Sequence, residues 1–259
     1  MSQRLLEADE PPPVHALRRD GGSAFVIAVD HASARIPRRL GSLGLSAQDL
    51  ERHIAWDIGA LAVAQHLSAV LDAPLVATQY SRLVIDCNRD PLVASSIPAL
   101  AEYTPIPGNQ DLTEAERELR RAELFDPYHE HLTALLDERR RAGRRTILVA
   151  QHSMTDVFKG AHREMHAAVL YNRDPRFARL VLEQLRADPR LIVGDNQPYF
   201  VSDATDYTIP RHGERGALPH VEIEIRQDLI ADAAGQEGWA QRIRQALEAA
   251  ERRLLELVP

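Results

Sequence analysis

Short apolar runs alternate with helical patterns along almost the whole of this 259-residue chain. Several of the runs are continuously apolar, as expected for strands that are covered on both faces of a sheet. Strands that alternate with helices predict an α/β sandwich around a mostly parallel or mixed sheet. The predicted strands are Phe25–Val29, Leu75–Thr78, Leu83–Ile85, Thr146–Ala150, Ala167–Tyr171, Leu191–Val193 and Val221–Ile225.

Capping signals and amphipathic spacing mark four helical segments between and after these strands. Thr113 and Glu116, for example, have the spacing of a capping box, in which each side chain satisfies a free backbone N–H at the helix start. The predicted helices run from the cap residue Ser46 towards Leu71, from Thr113 towards Arg141, from Asp174-Pro175 onwards, and over Trp239–Leu257.

Composition limits the domain organisation and the classes of partner. Residues 1–22 combine acidic residues with a proline run and are predicted to form a lead-in arm, whereas residues 23–259 read as a single domain because no linker or repeat divides them. The net charge is −7 and there is no basic tract, which argues against nucleic-acid binding. No apolar stretch suggests a signal peptide or a membrane span, and the lone cysteine fits a reducing compartment, so a cytoplasmic protein is expected.

Three long loops are rich in glycine, proline, histidine, aspartate and tyrosine; they cover residues 88–112, 152–166 and 196–219. In open α/β sheets the ligand site lies beyond the carboxyl ends of the strands, where such loops gather. We therefore expect the functional residues at strand ends.

Two of the predicted strands lead directly into a histidine, His31 and His152. Two imidazoles and one carboxylate, with one open position, form a typical catalytic zinc site. Asp57 is the next credible carboxylate after His31. It is predicted to lie on the helix that follows His31, in an apolar segment that predicts partial burial and hence a need for a partner. Two alternatives stay open, namely an ion pair between Asp57 and His53 one helical turn earlier, and histidines that only stabilise loops.

The segment HVEIEIRQ has the alternation of a strand, which places Glu222, Glu224 and Arg226 on one face. If this strand is central, a glutamate facing a cleft suits a general base that takes the proton of an attacking water. If it is an edge strand, the charged face is simply solvated.

The segment SRLVIDCNRDP contributes Arg82, Asn88 and Arg89 around a further apolar run. The fork of an arginine beside a carboxamide matches the geometry of a ligand carboxylate. Cys87, in the same segment, is predicted to be buried and inert.

The chain resembles the N-formylglutamate amidohydrolase (deformylase) family in six segments that follow one another between Val29 and Ile230: DHASARIP, WDIGA, SRLVIDCNRDP, QHSMTDVFKG, VGDNQPY and DYTIPRHGERGALPHVEIEIRQDLI. The resemblance implies a three-layer α/β/α sandwich with a central mixed sheet, distantly related to zinc exopeptidases. It also implies that His31, Asp57 and His152 hold Zn²⁺, or another divalent ion, and that Glu224 rather than Glu222 is the catalytic glutamate.

The activity that the resemblance implies is hydrolysis of the amide bond of a small N-acyl amino acid, such as N-formylglutamate. Arg82, Asn88 and Arg89 would hold the carboxylates of this small-molecule partner, and Arg82 or Arg226 would stabilise the oxyanion. His212, in the third loop, is a candidate to close over the substrate.

Two other functions fit the same residues. One is a non-catalytic protein that binds acyl-amino acids on the same scaffold, and the other is a zinc carboxypeptidase or a peptidoglycan-type amidase. The sequence indicates no particular oligomeric state.

Overall fold

A seven-stranded mixed sheet forms the centre of the computed structural model, which describes residues 4–257. The strands in that part of the chain are β1 Val14–Leu17, β2 Phe25–Val29, β3 Leu75–Thr78, β4 Leu100–Ala101, β5 Thr104–Pro105, β6 Ile147–Met154, β7 Val157–Phe158, β8 Ala161–His162, β9 Ala167–Leu170, β10 Val193–Asp195 and β11 His220–Arg226. The large sheet has the order β1-β3-β2-β6-β11-β9-β10, and the hairpins β4–β5 and β7–β8 lie outside it.

Four neighbouring strands of the sheet, β3, β2, β6 and β11, run parallel to one another. β1 and β9 pair antiparallel at the two sides of this group, which makes the sheet mixed. The carboxyl ends of the four parallel strands therefore meet at one edge. The chain leaves β2 towards β3 and later returns to the other side of β2 as β6, so this edge contains the switch point where α/β proteins bind ligands.

Helices cover both faces of the sheet. They are α1 Ala47–Glu51, α2 Ala60–Leu71, α3 Glu114–Arg120, α4 Asp126–Arg141, α5 Arg176–Arg186 and α6 Ala233–Leu257. The apolar sides of α2, α5 and α6 pack on one face, and the apolar side of α4 packs with long loops on the other. The predicted three-layer α/β/α sandwich with a mixed sheet is thereby confirmed.

β2 shows why the central strands are apolar without interruption. Phe25, Ile27 and Val29 belong to the core under α2, α5 and α6, whereas Val26 and Ala28 belong to the core under α4. All five side chains are buried, because each face of the strand has a helical layer over it.

The prediction of one helix from Ser46 towards Leu71 is wrong in the middle of that range. Ser46 does cap a helix through a capping box, but α1 ends after five residues, and α2 begins only at Ala60. Gly59 lies between them with φ +79°, and a Cβ there would approach Ile230 O to 2.5 Å. Asp57 consequently lies in the turn before α2 and not on a helix.

The apolar run Leu83–Ile85 is a buried turn and not the predicted strand. Side chains from elsewhere take the place of a strand neighbour: Asn109 Nδ2 donates to Leu83 O at 2.8 Å, and Arg120 Nη1 donates to Val84 O at 3.1 Å. Because these donors satisfy the backbone, the apolar side chains are buried without joining a sheet.

The two ends of the described chain are both tied to the sheet. The segment predicted as an arm contains β1, which pairs with β3 from Val14 to Leu17. The last helix, α6, begins at Ala233 and buries Trp239, Ile243 and Leu247 in the core. Among residues 4–257, none of the helices combines the length and apolarity needed to cross a lipid bilayer.

Candidate metal centre and its cavity

His31, Asp57 and His152 come together at the carboxyl edge of the sheet. His31 follows the end of β2, and His152 lies near the end of the neighbouring parallel strand β6. Asp57 N donates to His31 O at 2.9 Å, so the turn before α2 is held directly beside the first histidine. The three side chains are buried.

One potential ligand atom from each of the three residues lies within 4.8 Å of the other two. Asp57 Oδ2 is 2.9 Å from His152 Nδ1 and 3.4 Å from His31 Nδ1. Asp57 does not pair with His53, which lies instead near Glu102. The ion pair between Asp57 and His53, which the sequence left open, is therefore not formed.

Each histidine also has a carboxylate opposite its second ring nitrogen. His31 Nε2 is 2.7 Å from Asp86 Oδ1, and His152 Nε2 is 3.1 Å from Asp30 Oδ2. A proton on Nε2 of each ring would be donated to these carboxylates and would leave the Nδ1 lone pair available to a metal ion. Histidines that bind metals usually have such a carboxylate on the other nitrogen, because it fixes the tautomer and the ring orientation.

The charges around the two rings and Asp57 favour an added positive charge at this point. A neutral imidazole has one N–H, so the other nitrogen of each ring would present a lone pair to an anionic oxygen. Burial lowers the pKa of His152, but Glu222, Asp30 and Asp57 outweigh it and raise that pKa well above its ordinary value. The site thus attracts a second proton on the ring, or a metal ion in its place. Two imidazoles and one carboxylate fit a divalent ion such as zinc.

Glu222 and Glu224 face the same cavity from β11, which is a central strand between β6 and β9. One carboxyl oxygen of each is buried without a hydrogen-bond partner in the described part of the chain. Burial raises the pKa of Glu222 well above its ordinary range. Burial, with the nearby Asp57 carboxylate, raises the pKa of Glu224 to about 7. A carboxyl with a pKa near neutrality is suited to proton transfer.

A cavity of about 510 Å³ lies in front of the histidines and receives side chains from all three long loops. Arg82 and Arg89 both line it. Arg82 Nη2 donates to Asp86 Oδ2 at 2.8 Å, and Arg89 Nη1 donates to Thr205 O at 2.9 Å. The structure therefore brings these two predicted substrate-binding arginines close to the candidate metal site.

Asn88 lines the cavity but uses most of its amide to anchor the loop of residues 196–219. Its Oδ1 accepts from the backbone N–H groups of Tyr207 and Thr208, at 3.0 and 2.9 Å, and its Nδ2 donates to Asp206 at 3.3 Å. Asn88 Nδ2 has a second N–H, which is the group that remains for the expected contact with a ligand carboxylate.

Two predicted site residues, Arg226 and His212, do not line the cavity. Arg226 pairs with Asp228 at 2.7 Å and donates to the carbonyl of Arg163, so it ties the end of β11 to a loop. His212 is buried behind the cavity, with Nε2 2.9 Å from His129 Nδ1. Sequence periodicity places Arg226 on the face of Glu224, but at the strand end its long side chain turns away.

Sequence reasoning missed Asp86 and the aromatic side chains of the cavity wall, Phe158 and Tyr199. Asp86 has a recognisable signal, since an acid at the end of an apolar run needs a buried partner. The aromatic residues have none, because they stand on loops whose folded positions depend on distant contacts.

Comparisons with known proteins give a matching family and similar folds. Residues 23–231 match the family described as FGase, N-formylglutamate amidohydrolase. A crystal structure of a gene product from Agrobacterium tumefaciens is 38% identical, with a TM-score of 0.94 over 97% of this chain and 99% of that one. The N-formylglutamate amidohydrolase from Ralstonia eutropha JMP134 is 20% identical, with a TM-score of 0.69 over 93% and 98% of the two chains, and shares the fold. No curated protein sequence matches the chain.

Proposed function

This chain belongs to the N-formylglutamate amidohydrolase family, and on that basis we propose that it is a metal-dependent hydrolase of the amide bond in small N-acyl, in the first place N-formyl, amino acids. The family supports amide hydrolysis, and the proposal adds the metal, the base and the substrate groups. The observation that carries it is the convergence of His31, Asp57 and His152 within 4.8 Å, beside an unpartnered glutamate. We assign the catalytic unit to residues 23–259, with β1 as an added edge strand.

His31, Asp57 and His152 would hold the ion, and zinc is the metal that this donor set suits best. When bound, a divalent ion supplies a Lewis acid for the acyl carbonyl and makes a nearby water more acidic. Asp86 and Asp30 keep the two rings in the required tautomer and orientation through their contacts with Nε2.

Glu224 is the proposed general base. It takes a proton from the attacking water and passes it to the departing amine, so that the products are a carboxylic acid and a free amino acid. Its pKa of about 7 allows both steps, because the carboxyl changes its protonation state readily near neutral pH. Burial also raises the pKa of Glu222, but the family resemblance matches Glu224 to the catalytic glutamate, so Glu222 is not assigned this role.

Arg82 and Arg89 are the proposed partners of the substrate's negative charges. Arg82 stands beside both Asp57 and Asp86, close to the metal ligands, and would stabilise the oxyanion that develops during attack. Arg89, which donates to Thr205 O in the loop of residues 196–219, would hold the α-carboxylate. Asn88 would act mainly by holding that loop in place.

A hydrolysis screen over N-formyl, N-acetyl and N-succinyl amino acids, with metal-free and zinc-loaded protein, tests the proposal. We expect release of free amino acid only from the zinc-loaded protein. Binding of acyl-amino acids without hydrolysis under either condition would instead favour a non-catalytic binding protein.

A further inference from the structure

The lining of the cavity contains a small cationic cluster and also several large apolar side chains. We propose that the cavity selects N-acyl amino acids that carry one carboxylate and an apolar side chain, in preference to dicarboxylic ones such as N-formylglutamate. This inference rests on the amide hydrolysis proposed above and names the substrate class of the same site.

The cavity has one cationic cluster, and that cluster is already partly neutralised. Among residues 4–257, two arginines line the cavity, Arg82 and Arg89, and no lysine does. Both approach the same carboxylate: Arg82 Nη2 is 2.8 Å and Arg89 Nε is 3.6 Å from Asp86 Oδ2. The cluster can therefore receive one substrate carboxylate, but it offers little to a second.

Carboxyl groups outnumber the arginines in the same lining. They belong to Asp57, Asp86, Glu102, Asp206, Glu222 and Glu224. Two of them already pair with the arginines: Asp57 lies 3.5 Å from Arg82, and Asp86 lies 2.8 Å from Arg82 and 3.6 Å from Arg89. A second substrate carboxylate would thus be desolvated without a cation to pair with it.

Arg163 and Lys159, on the segment that carries β7 and β8, contact an aromatic side chain and do not belong to the cavity lining. The guanidinium of Arg163 lies 5.0 Å and the Lys159 ammonium 5.5 Å from the centre of the Phe158 ring. Arg163 also donates to Tyr199 Oη and to Thr155 O. These contacts hold the β7–β8 hairpin against the loop of residues 196–219.

Large apolar side chains form another part of the cavity lining. Phe158 and Tyr199 line it, together with Leu100 and Phe200, which are 60% and 64% exposed. Large apolar side chains around an opening favour an apolar ligand, because its binding removes their surface from water. An apolar substrate side chain fits this wall, whereas the γ-carboxylate of glutamate would lose its hydration there.

Three matched substrates test the inference: N-formylmethionine, N-formylglutamine and N-formylglutamate, with zinc-loaded protein. Glutamine and glutamate have nearly the same shape and differ in charge. We expect kcat/KM to fall from methionine through glutamine to glutamate, by at least about ten-fold overall. Fastest hydrolysis of N-formylglutamate would overturn the inference and leave the amide hydrolysis intact, whereas no hydrolysis of any acylated amino acid would refute the proposed function itself.

Variants of the wall identify the residues that set this preference. Phe158→Ala should lower kcat/KM for N-formylmethionine about ten-fold but for N-formylglycine less than about two-fold, and Phe158→Leu should restore most of the loss. Leu100→Arg should raise the rate with N-formylglutamate relative to N-formylmethionine. Leu92→Ala is the control, since Leu92 is 82% exposed and lies outside the lining. Equal losses with glycine and methionine in Phe158→Ala would contradict a role in specificity.

Discussion

The imidazole rings of His31 and His152 lie with their centroids 5.0 Å apart and their planes inclined by 68°. Their Nδ1 atoms face the same oxygen of Asp57, while each Nε2 faces a different carboxylate. Two parallel neighbouring strands, β2 and β6, produce this relationship by ending at the same edge of the sheet. The candidate metal site is therefore a consequence of strand order.

Glu224→Gln should keep the metal and lose most of the turnover. The amide has nearly the same shape but cannot accept the water's proton, and general-base catalysis contributes about 100- to 10,000-fold. Glu222→Gln is the matched comparison on the same strand. Because Glu222 is assigned no proton transfer, its replacement by an amide should change kcat little, and equal losses in both variants would refute the assignment. Steady-state kinetics with a metal analysis of each sample makes the measurement.

The metal-free protein should lose stability as the pH rises, in part through Glu224. Its pKa is raised by burial and by Asp57 from about 4.5 to about 7, so the folded state holds the proton more tightly than the unfolded chain does. The free energy of unfolding then falls between these pH values. Relative to wild type, Glu224→Gln should gain up to about 3 kcal/mol between about pH 4 and about pH 8. Urea unfolding of both proteins at both pH values measures this difference in the free energy of unfolding. A difference that does not change with pH would contradict the raised pKa of Glu224.

Asp86→Asn should weaken metal binding without removing a proposed ligand. Asp86 accepts from His31 Nε2 at 2.7 Å and fixes the ring. Loss of such a partner typically lowers metal affinity about 10- to 100-fold. Asp137→Asn, on the exposed side of α4, is the control. Competition with a chromophoric chelator measures the metal affinity of both variants. Unchanged affinity in Asp86→Asn would contradict the role of Asp86 in fixing the His31 ring.

Thr113→Ala should lower the stability of the protein and leave its rate of hydrolysis unchanged. Thr113 Oγ1 accepts from Glu116 N in the capping box at the start of α3. Removing such a cap costs about 1 kcal/mol. Thermal unfolding should show this loss, while kcat/KM of the zinc-loaded variant should match wild type, since Thr113 lies outside the cavity.

The residues at strand ends were predictable because their position depends on local pattern. Continuous apolar runs identified β2 and β6, and the polar residues that follow them had to lie at the sheet edge. The location of Asp57 in a turn was not predictable, because the helix break depends on Gly59 meeting Ile230, a residue far along the chain. The same holds for Leu83–Ile85, whose backbone is satisfied by side chains from distant segments. Arg226 shows that period-two alternation gives the face of a residue but not the direction of a long side chain.

Metal stoichiometry is the most direct measurement of the central claim. Metal-free protein would be loaded with zinc, freed of excess by gel filtration and analysed by atomic emission, alongside His31→Ala, His152→Ala and the control His66→Ala from the exposed side of α2. The site predicts about one zinc per chain in wild type and His66→Ala, and almost none in the other two variants. A wild-type protein that retains no zinc, or variants that retain as much as wild type, would contradict the account.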